Sequence, residues 1–254
     1  MKKTNKKSNA ELASEWNNIA ILRHKQILDG KDLSYHYVTT PSILKLVKAE
    51  LKSENSHCIL DAGCGTGDLT FKKIKKKNVD VVGIDLSSQS IKIAQSEHKG
   101  IANLSFSNIS IEKYAESSRF WKKYDLIISN MTLMDVSNLD DVLCAISKLL
   151  NDNGKFIFSI THPVFWPKYW GYDKLNWFNY RDEIFIETSF NISLYNSNYN
   201  TSHIHRPLEM YFEKLSKNNL KIINLIEPLP SSEIEQKYPE KWEYPRFMLM
   251  KCSK

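Results

Sequence analysis

Short runs of apolar residues alternate along this chain with longer stretches in which apolar residues recur at helical spacing. Short runs bounded by polar or glycine-containing turns are typical of buried strands. Strands that alternate with helices favour a parallel sheet, because parallel neighbours need a crossover connection. The sequence therefore predicts a doubly wound α/β fold with a mostly parallel, seven-stranded sheet, its strands near residues 58–60, 79–85, 104–109, 124–130, 155–160, 220–226 and 246–251.

Helical periodicity fills the segments between these predicted strands. Apolar positions from Ala10 to Asp29 share one face, and Gly30 follows them as an end signal. Pro41 opens a second pattern, since proline is favoured in the first turn of a helix. A later helix is expected to end at Gly154, in the position of a capping glycine. Further helices are expected from about Leu69, over residues 88–98 and over residues 206–215.

Two segments, residues 10–40 and 163–205, are predicted to form a cap on a single domain that spans residues 10–254. The inserted segment is rich in rings, because 12 of the chain's 29 aromatic residues lie between Phe165 and Tyr199. Aromatic side chains provide rigid contact surface and exclude water. We therefore interpret this segment as a lid that selects a substrate. A satellite core or a dimer contact is the alternative.

Charge and cysteine content limit the possible partners. The formal net charge is +6, but four lysines lie within residues 1–9, which are predicted to be a disordered basic tail. The remaining body carries little net charge and does not favour a nucleic-acid partner. No apolar run is long enough to span a membrane. The four cysteines form no C-x-x-C pair, so we expect reduced thiols, no metal site and a cytoplasmic location.

The clearest chemical signal lies in residues 57–69, His-Cys-Ile-Leu-Asp-Ala-Gly-Cys-Gly-Thr-Gly-Asp-Leu. Gly63, Gly65 and Gly67 follow the apolar run, and they allow a tight turn and the close approach of a ligand. The spacing departs from the G-x-G-x-x-G pattern of dinucleotide sites, because Asp68 stands where the third glycine belongs. An anionic side chain at that place would also repel a pyrophosphate. These residues therefore predict a small-molecule site, but not a dinucleotide site.

The octet Asp-Ala-Gly-Cys-Gly-Thr-Gly-Asp resembles the first motif of the class I S-adenosylmethionine-dependent methyltransferases. The resemblance covers residues 40–160 by motif and residues 206–254 by the order of elements. It implies a Rossmann-like methyltransferase fold and S-adenosylmethionine as the cofactor, with the methionine part in the glycine loop.

The resemblance also implies a place for the rest of the cofactor. Asp85, 24 residues after Asp61, matches the acidic residue that meets the ribose. Asn108 stands where the family carries an aspartate that contacts the adenine. The predicted cofactor-binding residues are Asp61, Gly63, Cys64, Gly65, Gly67, Asp85, Leu86, Asn108, Ile109 and Asn130.

His162 and His205 are the candidate catalytic residues. His162 ends the fifth predicted strand, on the edge where ligands bind in open α/β sheets. Pro163 restricts the direction of the chain that follows it. A neutral imidazole there could take a proton from the acceptor as the methyl group arrives. His205 is the alternative base, and a histidine that is hydrogen-bonded to the backbone is the interpretation without a catalytic role.

The sequence thus predicts an enzyme that transfers the methyl group of S-adenosylmethionine to an oxygen or nitrogen atom of a small organic molecule. An RNA or protein methyltransferase is one alternative, and it would need a basic or open face where this chain has an aromatic cap. A partner subunit that binds the cofactor without turnover is the other alternative, because the glycine loop and Asp85 predict binding rather than chemistry.

Overall fold

The computed structural model describes residues 1–51, 57–69 and 78–254. Its strands are β1 (Lys2–Thr4), β2 (His57–Ala62), β3 (Val79–Asp85), β4 (Leu104–Asn108), β5 (Tyr124–Asn130), β6 (Leu150–Thr161), β7 (Ile184–Ser189), β8 (Asn200–His205), β9 (Lys221–Ile226) and β10 (Phe247–Ser253).

Helices connect most of these strands. The α-helices are Asn9–Leu28, Thr40–Glu50, Ser88–Glu97, Ile111–Ala115, Leu139–Leu149, Trp166–Trp170, Leu208–Lys217 and Ser232–Glu235. Tyr35–Thr39 forms a π-helix, and Ser118–Phe120, Leu133–Asp135 and Tyr172–Lys174 form 3-10 turns. The helix expected from about Leu69 falls mostly on residues 70–77, outside the described residues.

Seven of the strands form one sheet in the order β4-β3-β2-β5-β6-β10-β9. The neighbours from β4 to β6 are parallel, whereas β10 is antiparallel to both β6 and β9. Apolar clusters cover both faces of this sheet, one built on the helix Thr40–Glu50 and the other on Leu139–Leu149. The predicted mostly parallel, seven-stranded sheet is confirmed. Its parallel strands end at one edge, where an open α/β sheet binds ligands.

The remaining strands form a second sheet in the order β1-β7-β8. This small cap sheet joins the first residues of the chain to the inserted segment, since Lys2 pairs with Glu187 and Thr4 with Phe185. The prediction of a disordered tail over residues 1–9 is therefore wrong. Local composition suggested disorder, but a strand edge far away in the sequence supplies the backbone partners that those residues lack locally.

Gly154 also differs from its prediction. The helix ends at Leu149, and Gly154 lies inside β6 rather than at a helix C-cap. A Cβ atom at Gly154 would lie 3.0 Å from the carbonyl oxygen of Tyr124 and 2.8 Å from Cδ2 of Leu150. The glycine thus permits close packing at the start of the β5–β6 pair.

Candidate active site

A cavity of about 770 Å³ lies at the carboxyl edge of the main sheet. Its walls come from the glycine loop, from the ends of β3, β5 and β6, from the helix Asn9–Leu28 and from the cap sheet. This volume lies within the range of roughly 300–1,000 Å³ that is typical of small-molecule sites.

The glycine loop forms one wall of this cavity. Gly63, Gly65 and Gly67 have positive φ angles of 82°, 54° and 78°, a region that L side chains rarely adopt. The N–H groups of Gly63 and Cys64 donate to the carbonyl of Ile84 at 2.8 and 3.0 Å, which ties the loop to the end of β3. A Cβ at Gly63 would clash with Thr132. The loop therefore needs glycine both for its turns and for its packing.

Asp85 lies beside this loop at the end of β3 and lines the cavity. One carboxylate oxygen accepts the N–H of Gly65 at 2.8 Å, and the other accepts the N–H of Ser87 at 2.8 Å. Burial raises the pKa of Asp85, while these two donors act in the opposite direction. A carboxylate offers about four acceptor sites. The two that remain can receive a pair of hydroxyl groups, as a ribose presents.

Most of the predicted cofactor residues meet at this cavity. The wall contains Asp61, Gly63, Cys64, Gly65, Asp85, Leu86, Ile109 and Asn130. Gly67 does not line the cavity, and a Cβ there would lie 2.7 Å from Cζ of Phe106. Its role is therefore in the packing of the loop. Burial raises the pKa of the Cys64 thiol well above its usual range, so this cysteine contributes shape rather than a reactive thiolate.

Asn108 does not line the cavity either. Its side-chain amide donates to the carbonyl oxygens of Asp85 and Leu86 at 2.9 and 2.8 Å. This contact fixes the backbone that carries Asp85 and Leu86. The NH2 group of Asn108 thus orders the neighbouring strand end, and a contact between its side-chain oxygen and the adenine stays a prediction.

The end of β5 has a strained backbone at the cavity wall. Met131 adopts a φ of 56°, in the left-handed region that non-glycine residues rarely occupy. Its N–H donates to the hydroxyl and to the carbonyl oxygen of Ser159, both at 3.0 Å, and that hydroxyl donates to Oδ1 of Asn130 at 2.7 Å. Strained conformations held by surrounding bonds are concentrated at functional sites. Asn130, one of the predicted cofactor-binding residues, is held at this strained end of β5.

Neither predicted catalytic histidine faces the main cavity. His162 and His205 border a separate space of about 10 Å³. Nε2 of His162 lies 2.7 Å from Oε1 of Glu227, and its Nδ1 accepts the N–H of Val164 at 3.2 Å. Both ring nitrogens are thus occupied. This placement corrects the prediction of a general base at His162, because Pro163 directs the chain and the imidazole bonds to its own turn.

His205 is also a structural histidine. Its Nε2 lies 3.0 Å from the carbonyl oxygen of Tyr180, and the ring packs edge-on against Phe178 with centroids 4.9 Å apart. Burial lowers the pKa of His205 to about 4. The hydrogen bond to the backbone and the surrounding rings make His205 part of the cap's packing, which corrects its prediction as the alternative base.

The histidine that lines the cavity is His203, two residues earlier on β8. Its Nδ1 lies 3.8 Å from Oδ1 of Asp135, which also lines the cavity and ends the 3-10 turn after β5. Burial, followed by the charge of Arg206, lowers the pKa of His203 to about 3. Burial raises the pKa of Asp135 well above its usual range. His203, which lines the cavity, is therefore held unprotonated, so that its imidazole can act as an acceptor.

The contact between His203 and Asp135 was not predicted from the sequence, because the sequence does not show which strand residues face the cavity. Residues two apart on a strand share a face, so His203 and His205 point toward the same side of the cap. The Ser-His-Ile-His spacing was the available signal, but the sequence alone does not tell which of the two histidines reaches the cavity.

The aromatic residues of the inserted segment, residues 163–205, contribute to the cavity wall and to a separate buried cluster. Four of its rings, Trp166, Tyr169, Trp170 and Phe190, line the cavity. Tyr172 packs instead with Ile184 and Ile186 in a separate buried cluster, against Trp177 and Phe178. The structure thus contains both features that the sequence left open, a cavity wall and a satellite core.

The described residues contain neither a metal-binding cluster nor a membrane-spanning helix. No group of three or more His, Cys, Asp or Glu side chains in this part of the chain is arranged to hold a metal ion. No helix among residues 1–51, 57–69 and 78–254 has the length and apolar character needed to cross a membrane.

Comparison with known sequences points to one family. Residues 53–176 match a family described as a methyltransferase domain. A malonyl-[acyl-carrier protein] O-methyltransferase from Halalkalibacterium halodurans is 29% identical over 111 residues, which cover 43% of this chain and 41% of that protein. The chain thus spans less than half the length of the curated relatives that it matches.

Solved structures share the whole fold. A structure from Listeria monocytogenes, assigned to the S-adenosylmethionine-dependent methyltransferases, has a TM-score of 0.67 at 24% identity and covers 85% of this chain and 97% of that one. A geranyl diphosphate C-methyltransferase from Streptomyces coelicolor A3(2) has a TM-score of 0.63 at 14% identity, over 98% of this chain and 99% of that one. That structure contains Mg²⁺, geranyl-S-thiolodiphosphate and S-adenosyl-L-homocysteine. At these identities the likeness shows the fold.

Proposed function

This chain belongs to the class I S-adenosylmethionine-dependent methyltransferases, and we propose that it methylates a small organic molecule inside the cavity. The observation that supports this proposal best is the continuity of the cavity wall. The same space is lined by the cofactor residues Gly63 and Asp85 and by the cap residues His203 and Trp166. A ligand on the glycine loop and an acceptor under the cap would therefore be neighbours.

The residues present fit the cofactor. Gly63 and Gly65 leave a cradle without side chains, and Asp85 has acceptor capacity for two ribose hydroxyls. Leu86 and Ile109 line the cavity next to Asp85 and would contact the adenine. When bound, S-adenosylmethionine supplies a methyl group that its sulfonium already activates. The contribution of the protein is then to hold the acceptor in line and to receive its proton.

His203 is the group that we propose for the proton. Its unprotonated nitrogen can accept the proton of a hydroxyl or amine acceptor, which supports an O or N acceptor. A proton that arrives on His203 would lie beside Asp135, at the 3.8 Å separation described above. Burial raises the pKa of Asp135 and so opposes its ionised form, and the imidazolium that forms beside it would in turn favour the carboxylate. The oxygen or nitrogen of the acceptor keeps its electron pair for the new bond to carbon.

The enclosure supports a small acceptor over an RNA or a protein segment. The helix Asn9–Leu28 lines one side of the cavity and is fixed beside the end of β3, because Oδ1 of Asn17 accepts the hydroxyl of Ser87 at 2.9 Å. The cap sheet covers another side. We also propose a cytoplasmic location, which the four free cysteines support.

The test has two parts. Calorimetry with S-adenosyl-L-homocysteine should show binding in one-to-one stoichiometry, and a metabolite extract with methyl-labelled S-adenosylmethionine should yield a labelled small molecule. Binding without label in any fraction would favour the non-catalytic partner subunit. Label in added RNA or protein, with none in the small-molecule fraction, would contradict the proposed acceptor class.

A further inference from the structure

Arg246 is a buried cation without a counterion among the described residues. It is 4% exposed and lines the cavity. The other two arginines of the cavity region have carboxylate partners, since Arg206 pairs with Glu183 at 2.6 Å and Arg23 with Asp32 at 2.8 Å. A buried charge that lacks a partner is costly, so natural proteins rarely leave one unpaired.

Two aromatic rings pack against the guanidinium of Arg246, and two backbone carbonyl oxygens accept hydrogen bonds from one of its nitrogens. Its Cζ lies 3.8 Å from the ring centroid of Tyr169 and 4.5 Å from that of Trp242. Nη2 donates to the carbonyl oxygens of Glu240 and Lys241 at 3.1 and 3.2 Å. Within the described part of the chain, Nε and Nη1 have no hydrogen-bond acceptor. Three N–H bonds of a rigid, positively charged group therefore remain for a ligand.

Trp166 supplies a second unused donor in the same wall. Its indole nitrogen is buried and makes no hydrogen bond to any described residue. The ring lies next to Tyr169 and Phe247, with centroids 5.3 and 5.8 Å away. Phe247 directly follows Arg246 in the chain. Two adjacent segments that line the cavity thus carry donors without acceptors among the described residues.

The position of Arg246 separates it from the cofactor's ribose. Asp85 ends β3, whereas Arg246 precedes β10, whose first residue pairs with Thr161 at the end of β6. The sheet order places β2, β5 and β6 between them. Four steps of about 4.8 Å make a separation of roughly 19 Å. Arg246 therefore belongs to the end of the cavity away from the ribose, under the cap.

We propose that Arg246, together with the indole N–H of Trp166, binds an oxyanion of the methyl acceptor, so that the substrate is an anionic small molecule. This inference rests on the proposed function, because it describes the acceptor of the same reaction. A carboxylate or a phosphate would lie along the Nε and Nη1 edge, in the two-bond arrangement that arginine favours. The apolar body of the acceptor would contact Trp166, whose ring is 6.4 Å from that of His203. Anion binding would thus direct the remaining part of the acceptor toward the proposed base.

The experiment measures ligand binding, not turnover. Calorimetry on protein saturated with S-adenosyl-L-homocysteine compares benzoate with its neutral amide, benzamide, and inorganic phosphate is tested as a competitor. Benzoate should bind and benzamide should not. Competition by phosphate would indicate a site for phosphate esters as well, whereas its absence would restrict the site to carboxylates. Equal binding of benzoate and benzamide would overturn the proposal.

Arg246→Gln should weaken benzoate roughly 10- to 150-fold, since it removes charged hydrogen bonds. The matched control is Lys237→Gln, which removes an exposed cation nine residues earlier and should leave benzoate affinity unchanged. Trp166→Phe keeps a ring and should give a smaller loss, which provides a second variant if Arg246→Gln fails to fold.

The affinity for S-adenosyl-L-homocysteine should be the same in both Arg246→Gln and the parent protein. A parallel loss of that affinity would show that Arg246 holds the cofactor's own carboxylate, and it would overturn the proposal. Absence of S-adenosyl-L-homocysteine binding in the parent protein would instead contradict the proposed function, so the two failures are distinct.

Discussion

At the scale of single residues, the two proposed roles in the cavity depend on opposite charge states. The surroundings of Asp85 offer hydrogen-bond donors to an anion, whereas those of His203 favour a neutral group. Asp85 receives two backbone N–H donors, which favour its carboxylate against the effect of burial. The imidazole of His203 makes no hydrogen bond to a described residue, and burial, followed by the charge of Arg206, favours its neutral form. In the proposed reaction an anion thus stands where hydroxyl groups would be bound, and a neutral imidazole stands where a proton would be received.

Asp85→Asn should weaken the binding of S-adenosyl-L-homocysteine roughly 10- to 150-fold, because a charged acceptor is lost and the new amide has a donor of its own. The matched control is Asp80→Asn on the exposed side of the same strand, which should leave the affinity unchanged. Calorimetric titration gives both dissociation constants. Equal constants for Asp85→Asn and the parent protein would remove Asp85 from the cofactor site.

His203→Gln should lower kcat about 10²- to 10⁴-fold while the affinity for S-adenosyl-L-homocysteine stays the same, since a general base acts on the chemical step. His205→Gln is the matched control, because it changes the same residue type two positions away, outside the main cavity. The rates are measured with the acceptor that the labelling screen identifies. If His205→Gln loses kcat and His203→Gln does not, the assignment of the base is wrong.

At the scale of elements, the start of the chain fastens the cap to the helix Asn9–Leu28. The Lys7 ammonium contacts Glu15 on that helix and Glu187 on β7. Glu15 also accepts the N–H of Ser202 on β8 at 2.8 Å. Two structural elements that line the cavity are therefore joined through one partly buried ion cluster, and the first strand closes the edge of the cap sheet.

Lys7→Ala should lower the free energy of unfolding by about 1.5–3 kcal/mol, because two carboxylates with little exposure lose a charged partner. Lys6→Ala removes a neighbouring exposed lysine and should change this free energy by less than about 0.5 kcal/mol. Urea unfolding followed by circular dichroism measures both variants. Similar losses in the two variants would mean that the ion cluster does not stabilise the junction.

The sequence predicted those features that residues close together along the chain determine. The Gly63 loop needs glycine for its own backbone angles, and the strand that ends at Asn130 has its apolar run in one piece. The errors concern features decided by distant partners. Lys7 is ordered by Glu187, Gly154 is required by the packing against Tyr124, and His162 is occupied by Glu227. Arg246 and His203 line one cavity because two sheets meet there, the cap sheet with β8 and the main sheet with β10.

At the scale of the whole molecule, buried histidines make stability depend on pH. Burial lowers the pKa of three histidines. The pKa of His162 falls below its usual range, that of His205 falls to about 4 and that of His203 falls to about 3. In the unfolded chain the same groups bind protons near pH 6.5. As the pH falls below about 6.5, the unfolded state therefore gains protons that the folded state does not, and the free energy of unfolding falls.

The slope is at most about 1.4 kcal/mol per pH unit for each such histidine. Asp85 and Asp135 have raised pKa values and contribute with the opposite sign, so a variant is needed to isolate one histidine. His205→Gln should lose less stability than the parent protein between pH 6 and pH 5, by about 1 kcal/mol. Urea unfolding at both pH values measures the difference. Equal losses of stability in His205→Gln and in the parent protein would show that His205 is protonated equally in the folded and unfolded states.

The position of β10 also has a consequence for the order in which the protein assembles. β10 is synthesised after β9, yet it lies between β6 and β9 in the sheet. While the chain emerges from the ribosome, the glycine loop and Asp85 can take their places before β10 exists, since β2, β3 and β5 precede it. β9 has no neighbour in the sheet until β10 arrives, and Arg246 arrives with it. The half of the cavity proposed for the cofactor is thus free to form first, and the half proposed for the acceptor is completed when β10 inserts between β6 and β9.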